Sequence, residues 1–100
     1  AACGWRFGRE WRFDSARLEA AIRDFLGDRA LLPNGLIRFK GAVRTESGDF
    51  VINTDAGEVL WDAVGPRADC RFEVIAPADP PPDWPEIEAR IRACRAGDGP

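Results

Sequence analysis

Three kinds of side chain in this 100-residue sequence could do chemistry: a basic row, three cysteines and a few paired carboxylates. The row is Arg38, Lys40 and Arg44, which alternate with Ile37, Phe39, Gly41 and Val43. A period of two predicts a strand with one buried apolar face and one wet, basic face. Such a row can dock a carboxylate-rich partner, or phosphates presented by another domain. If the strand starting at Trp5 lies beside it, Arg6 and Arg12 extend the row into a patch. The plainer alternative is a solvated sheet face whose cations pair with Asp49, Glu58 and Asp62 across the ladder.

Cys3, Cys70 and Cys94 could hold zinc only if the fold gathers them. Cys70 and Cys94 fall on apolar faces of their segments, where a thiol behaves as a small hydrophobe. No metal site is therefore expected. Glu86 with Glu88, and Asp79 with Asp83, stand where helix-start and surface acids belong, so no catalytic residue is assigned. Arg67-Ala-Asp-Cys-Arg71 is read as pairing its own charges or holding a neighbouring loop.

Absences narrow the classes further. The chain has no histidine, the usual general base and the commonest metal ligand. It has no Gly-rich phosphate loop and no Cys-x-x-Cys pair. Net charge −3 with pI near 4.9 argues against a nucleic-acid partner, which needs a basic footprint. No apolar run spans a bilayer and no leader pattern opens the chain. An odd number of cysteines without motif spacing suits a reducing, cytoplasmic setting.

The elements that must position these groups follow from periodicity. Trp5, Phe7, Trp11 and Phe13 alternate with polar residues, predicting a strand over 5–13 that Gly8 divides by a bulge or turn. Asp14 or Ser15 caps a helix whose buried stripe is Leu18, Ala21, Ile22, Phe25 and Leu26, with Gly27 as its C-terminal stop. Asn34-Gly35 supplies a turn. Leu36–Arg44 is the central strand, with Ile37, Phe39 and Val43 facing the core. Gly41 lies on that face, where a missing side chain admits a bulky ring. Phe50–Thr54 and Val59–Val64 complete an antiparallel meander with turns at 46–49 and 55–57. Cys70–Ile75 is a further strand, with Cys70, Phe72 and Val74 on one face. The Pro-rich stretch 76–83 is an extended connector. A last helix starts at Asp83 or Trp84 with Pro85 in its first turn, buries Ile87, Ile91 and Cys94, and ends at Gly97. Residues 96–100 are expected to fray. The expected architecture is a single α+β domain over 1–100, in the order β-α-β-β-β-β-α. Its antiparallel sheet has four to five strands, with both helices on one face.

The order of these motifs resembles the C-terminal domain of CobW-like proteins. Leu36-Ile-Arg-Phe-Lys-Gly-Ala-Val-Arg-Thr45 is similar to that family's Arg-x-Lys-Gly strand. Asp69-Cys-Arg-Phe-Glu-Val-Ile75 resembles its Asp-Ser-Arg-x-Glu-x-Ile strand, with Cys70 in place of the small residue. The aromatic segment ending at Phe13-Asp14 and the helix from Asp83 to Cys94 agree with the flanks. The matching motif positions are Arg38, Lys40, Gly41, Asp69, Arg71 and Glu73. The resemblance implies an accessory domain of a P-loop GTPase metallochaperone of the kind linked to cobalamin synthesis and metal homeostasis. Its partners would be an N-terminal GTPase domain of the same chain or a client metalloprotein. GTP, magnesium and zinc or cobalt would belong to the rest of such a protein. No cofactor, metal ligand or catalytic residue carries over to this segment, since the family's phosphate loop and Gly-Cys-x-Cys-Cys motif are not in it. The alternatives are a free-standing binding module, an enzyme or a zinc-binding module.

Overall fold

Residues 1–97 are described by the computed structural model. The order of elements is β1 (Ala2–Phe7), α1 (Ser15–Gly27), β2 (Arg38–Thr45), β3 (Gly48–Asp55), β4 (Glu58–Ala63), β5 (Cys70–Ile75) and α2 (Trp84–Arg92). This is the expected α+β succession. The five strands form one antiparallel sheet in the spatial order β1-β5-β2-β3-β4. The molecule is 19 Å through its shortest axis, about the thickness of one sheet and one helix layer.

Both helices cover the same face. Leu18, Ile22 and Phe25 from α1 and Ile87 and Ile91 from α2 pack against Phe39, Val43, Ile52, Phe72 and Val74. Each large apolar side chain so buried contributes about 1.5–3 kcal/mol. Two tryptophans fasten the layers together. The Trp5 indole N–H donates to Glu88 on α2 at 3.0 Å, and the Trp61 N–H to Glu19 on α1 at 2.6 Å. Gly41 plays the part its position suggests: a methyl group built there would lie 2.8 Å from the Phe72 ring.

Four local expectations are corrected. The first strand runs over Ala2–Phe7, not 5–13, and Gly8 begins a turn closed by the Trp11 N–H on the Gly8 carbonyl. Phe13 then makes isolated bridges to Thr45 and Arg95, so the chain doubles back instead of continuing. Ile37 is not in the core. It precedes β2, one residue outside the paired register that begins at Arg38, and stays 64% exposed. Gly27 is the last helical residue of α1 rather than the stop beyond it. Asp28 turns the chain, its N–H on the Asp24 carbonyl and its carboxylate accepting from Ala30 and Leu31 N–H groups. Last, α2 ends at Arg92, not Gly97, because Cys94 and Arg95 leave the helix to pair with the 12–14 segment. The Asp14 N–H reaches the Cys94 carbonyl at 2.7 Å, and the Ala96 N–H the Arg12 carbonyl at 2.7 Å. The rest of the expected frayed tail, 98–100, lies outside the described residues.

Turn chemistry accounts for the remaining connections. Gly35 (φ 83°), Ala56 (φ 50°) and Gly57 (φ 80°) supply the left-handed conformations that tight turns demand. Asp14 and Asp83 cap the two helices through bonds from the Arg17 and Glu86 N–H groups.

Candidate docking groove on the open sheet face

Side chains of successive strand residues point to opposite faces, so covering one face with helices leaves the other open. Cross-strand register lines up the open-face residues. One row runs Gly4, Glu73, Lys40, Asn53 and Leu60; the next runs Arg6, Arg71, Ala42, Val51 and Asp62. Gly4 at the edge of one row and Ala42 in the middle of the other leave a hollow between long side chains. It is a groove of about 630 Å³, floored by Gly4, Ala42 and Val51 and rimmed by Arg6, Arg38, Lys40, Arg71 and Glu73.

Four cations and one carboxylate line that rim, and the Asp69 carboxylate beside it lowers the local net charge to +2, on a chain whose overall charge is −3. The expected acidic partners do not neutralise the row. Among the described residues, none of Asp49, Glu58 or Asp62 forms an ion pair with Arg38, Lys40 or Arg44. Arg38 donates to the Asn53 side-chain carbonyl at 2.9 Å. Asp49 takes the Arg67 backbone N–H at 2.7 Å. Lys40 has Glu73 as its cross-strand neighbour, without an ion pair between them.

Asp69 organises the other side of the groove. Its carboxylate receives Arg6 at 2.8 Å, Arg71 at 3.2 Å and Arg67 at 3.4 Å. Arg6 and Arg71 face one another directly across β1 and β5, an arrangement that is repulsive unless an anion bridges it. Desolvation pushes Asp69 up, but hydrogen bonds from Arg71 and Arg6 outweigh it and hold the carboxyl below its ordinary value. The loop Arg67–Arg71 thus pairs its own charges, and it also fixes Arg6 and Arg71 at the groove rim.

Five of the six motif positions share one face, and the sixth lies behind it. Arg38, Lys40, Asp69, Arg71 and Glu73 lie on the open face, and Gly41 lies beneath Phe72 on the core face. Arg44 parts from the row. It is half-buried at the end of β2, with one guanidinium nitrogen on the Arg9 carbonyl and Nε enclosed without a partner among the described residues. Arg6 joins the patch even though β5 separates β1 from β2, whereas Arg12 is not among the groove residues. The floor residues Gly4 and Val51 carry no chemical signal, and only the strand register reveals them.

The remaining candidates have structural duties. Glu86 and Glu88 pair with Arg90 and Arg92 one helical turn on, at 3.0 and 2.7 Å, and the Arg92 bond holds the Glu88 carboxyl down. Asp83 is the α2 cap. Cys3 and Cys70 sit toward opposite ends of the β1–β5 ladder, four residues along and one strand across, thus about 14 Å apart. Burial pushes the Cys70 thiol up and the Cys94 thiol to about 11. Among the described residues, no three cysteine or carboxylate side chains gather where a metal ion could sit. No helix among them is long and apolar enough to cross a membrane.

No protein-family model matches the chain, and no curated protein does. Two solved structures are similar in fold. The Zn(II)-bound YjiA GTPase from E. coli aligns over 95% of this chain at 16% identity, with a TM-score of 0.70. A Zn(II)-bound triple mutant of the YjiA GTPase aligns over 95% at 14% identity, also with a TM-score of 0.70. In each case the match covers 29% of the GTPase chain. This chain therefore shares its fold with a portion, under a third, of a GTPase polypeptide.

Proposed function

We propose that this chain is an accessory, partner-binding domain of a CobW-like GTP-binding metallochaperone, cytoplasmic and without catalysis of its own. The observation that carries the proposal is the fold match: nearly the whole chain aligns with less than a third of a zinc-bound GTPase. The resemblance of the Arg38–Gly41 and Asp69–Glu73 motifs to the C-terminal domain of CobW-like proteins supports the same assignment. In this reading the phosphate loop, GTP, magnesium and the metal cargo belong to an N-terminal domain of the same polypeptide. The open face, with Arg38 and Lys40, contacts that domain or a client metalloprotein and couples the contact to nucleotide state.

The test uses the full-length gene product. Its reading frame should carry Gly-x-x-x-x-Gly-Lys-Ser/Thr ahead of this domain. Deleting residues 5–94 should change the GTP hydrolysis rate or the transfer of metal to the client. A frame without a phosphate loop, or hydrolysis and transfer both unaltered by the deletion, would reject the assignment.

A further inference from the structure

We propose that the groove on the open sheet face binds an acidic, amphipathic peptide segment of its partner, with apolar side chains on Ala42 and Val51 and carboxylates on Arg38, Lys40 and Arg71. This deepens the partner-binding reading above by naming the site and the chemistry of its occupant.

Charge complementarity is the first argument. The rim is positive on a negative protein, and Arg38 and Lys40 have no carboxylate within ion-pair distance among the described residues. Cations left without counter-ions at a concave surface attract acidic groups and steer their approach.

The spread of the cations selects a peptide over a phosphate. Arg71 pairs with Ala42, two residues along β2 from Lys40. With strands about 4.8 Å apart and a rise of about 3.3 Å per residue, the Arg71 and Lys40 backbones are roughly 8 Å apart. Arg38 lies a further two residues away. Carboxylates two apart on an extended segment, or one turn apart on a helix, match such spacing. A phosphate needs donors converging on one point, and among the described residues no helix begins at this face. Glu73 stands between Lys40 and Gly4 in the same row, where it would repel a compact dianion but can be avoided by spaced single charges.

The floor supplies the apolar half. Ala42 and Val51 are directly paired and only half-buried, and Leu60 is exposed two strands from Lys40. A segment that placed its apolar side on this strip would cover it while its acidic side met the rim.

The experiment titrates the isotopically labelled 100-residue chain with a 12-residue peptide of glutamate, leucine and alanine, read by amide shifts and by fluorescence anisotropy. Controls are the same peptide with every glutamate replaced by glutamine, and inorganic phosphate. Binding should perturb β1, β5, β2 and β3 amides, and glutamine replacement should weaken it. Arg38→Gln with Lys40→Gln should weaken it roughly tenfold, since each exposed charge pair contributes up to about fivefold. Arg23→Gln, on the outer side of α1, should leave it unchanged. Equal binding of the glutamine peptide, no effect of the double substitution, or shifts on the helices instead would overturn the proposal. So would phosphate competing at its own millimolar level with the peptide. Such failures would leave the accessory-domain reading standing if deletion still altered hydrolysis. A bound peptide with no GTPase upstream would do the reverse.

Discussion

Replacing Gly41 with alanine probes the packing beneath the groove. The added methyl would sit 2.8 Å from one Phe72 ring carbon and 3.1 Å from the Arg71 carbonyl oxygen. Neither neighbour can yield easily. The carbonyl belongs to β5, which is paired to β2 at this point. The Phe72 ring is 3% exposed, and its centroid lies 5.1–5.9 Å from those of Phe13, Phe7 and Phe39. Forcing a methyl into such a site costs about 1–3 kcal/mol. The reduced freedom of the unfolded chain returns about 0.4–1 kcal/mol. A net loss of about 1–2 kcal/mol is expected, equivalent to roughly 5–10 °C in Tm for a domain of this size. Urea unfolding followed by tryptophan fluorescence measures it, and Phe72→Leu supplies the partner substitution. If the ring is the obstacle, the double variant is less destabilised than the summed singles by about 1 kcal/mol. A neutral or stabilising Gly41→Ala, or strict additivity, would refute the close approach of ring and strand.

Three other outcomes follow from the same geometry. Asp69→Asn should destabilise the fold by releasing the repulsion between Arg6 and Arg71. Because the native carboxyl is depressed, its contribution is complete above the ordinary value of 3.8 and fades as pH falls through the lower native value. Urea midpoints of the two proteins from pH 7 downward should therefore converge only in acid. With a thiol raised to about 11 and a buried side chain, Cys94 should resist iodoacetamide in the native state, as should buried Cys70; Cys3 on the half-exposed edge strand should react. Peptide mapping after labelling with and without denaturant distinguishes the three. Trp61→Phe should cost about 1–2 kcal/mol of stability, read by urea unfolding, by removing the 2.6 Å bond that ties β4 to Glu19 of α1. Glu19→Gln should reproduce part of that loss.

Local sequence determined much of the frame. Alternation assigned the faces of Arg38–Thr45 and Cys70–Ile75, the three-four spacing assigned the buried stripe of α1, and the caps were narrowed to Asp14 or Ser15 and to Asp83 or Trp84. Each depends only on neighbours along the chain, because the dihedral preferences and periodicities involved are local. Even the empty position at Gly41 was legible, since its parity placed it among the apolar residues. Tertiary structure decided which strands meet. A period of two says which face is wet but names no neighbour, so nothing local placed β5 between β1 and β2. That insertion sets Arg71 and Glu73 beside Arg38 and Lys40, brings Arg6 to Asp69, and hollows a groove over Gly4 and Ala42. It also parts Arg44 from its row, because the Arg9 carbonyl comes within reach of its guanidinium. The sequence supplied the charges and their faces; long-range pairing made them a site, because only the folded sheet fixes the distances between strands.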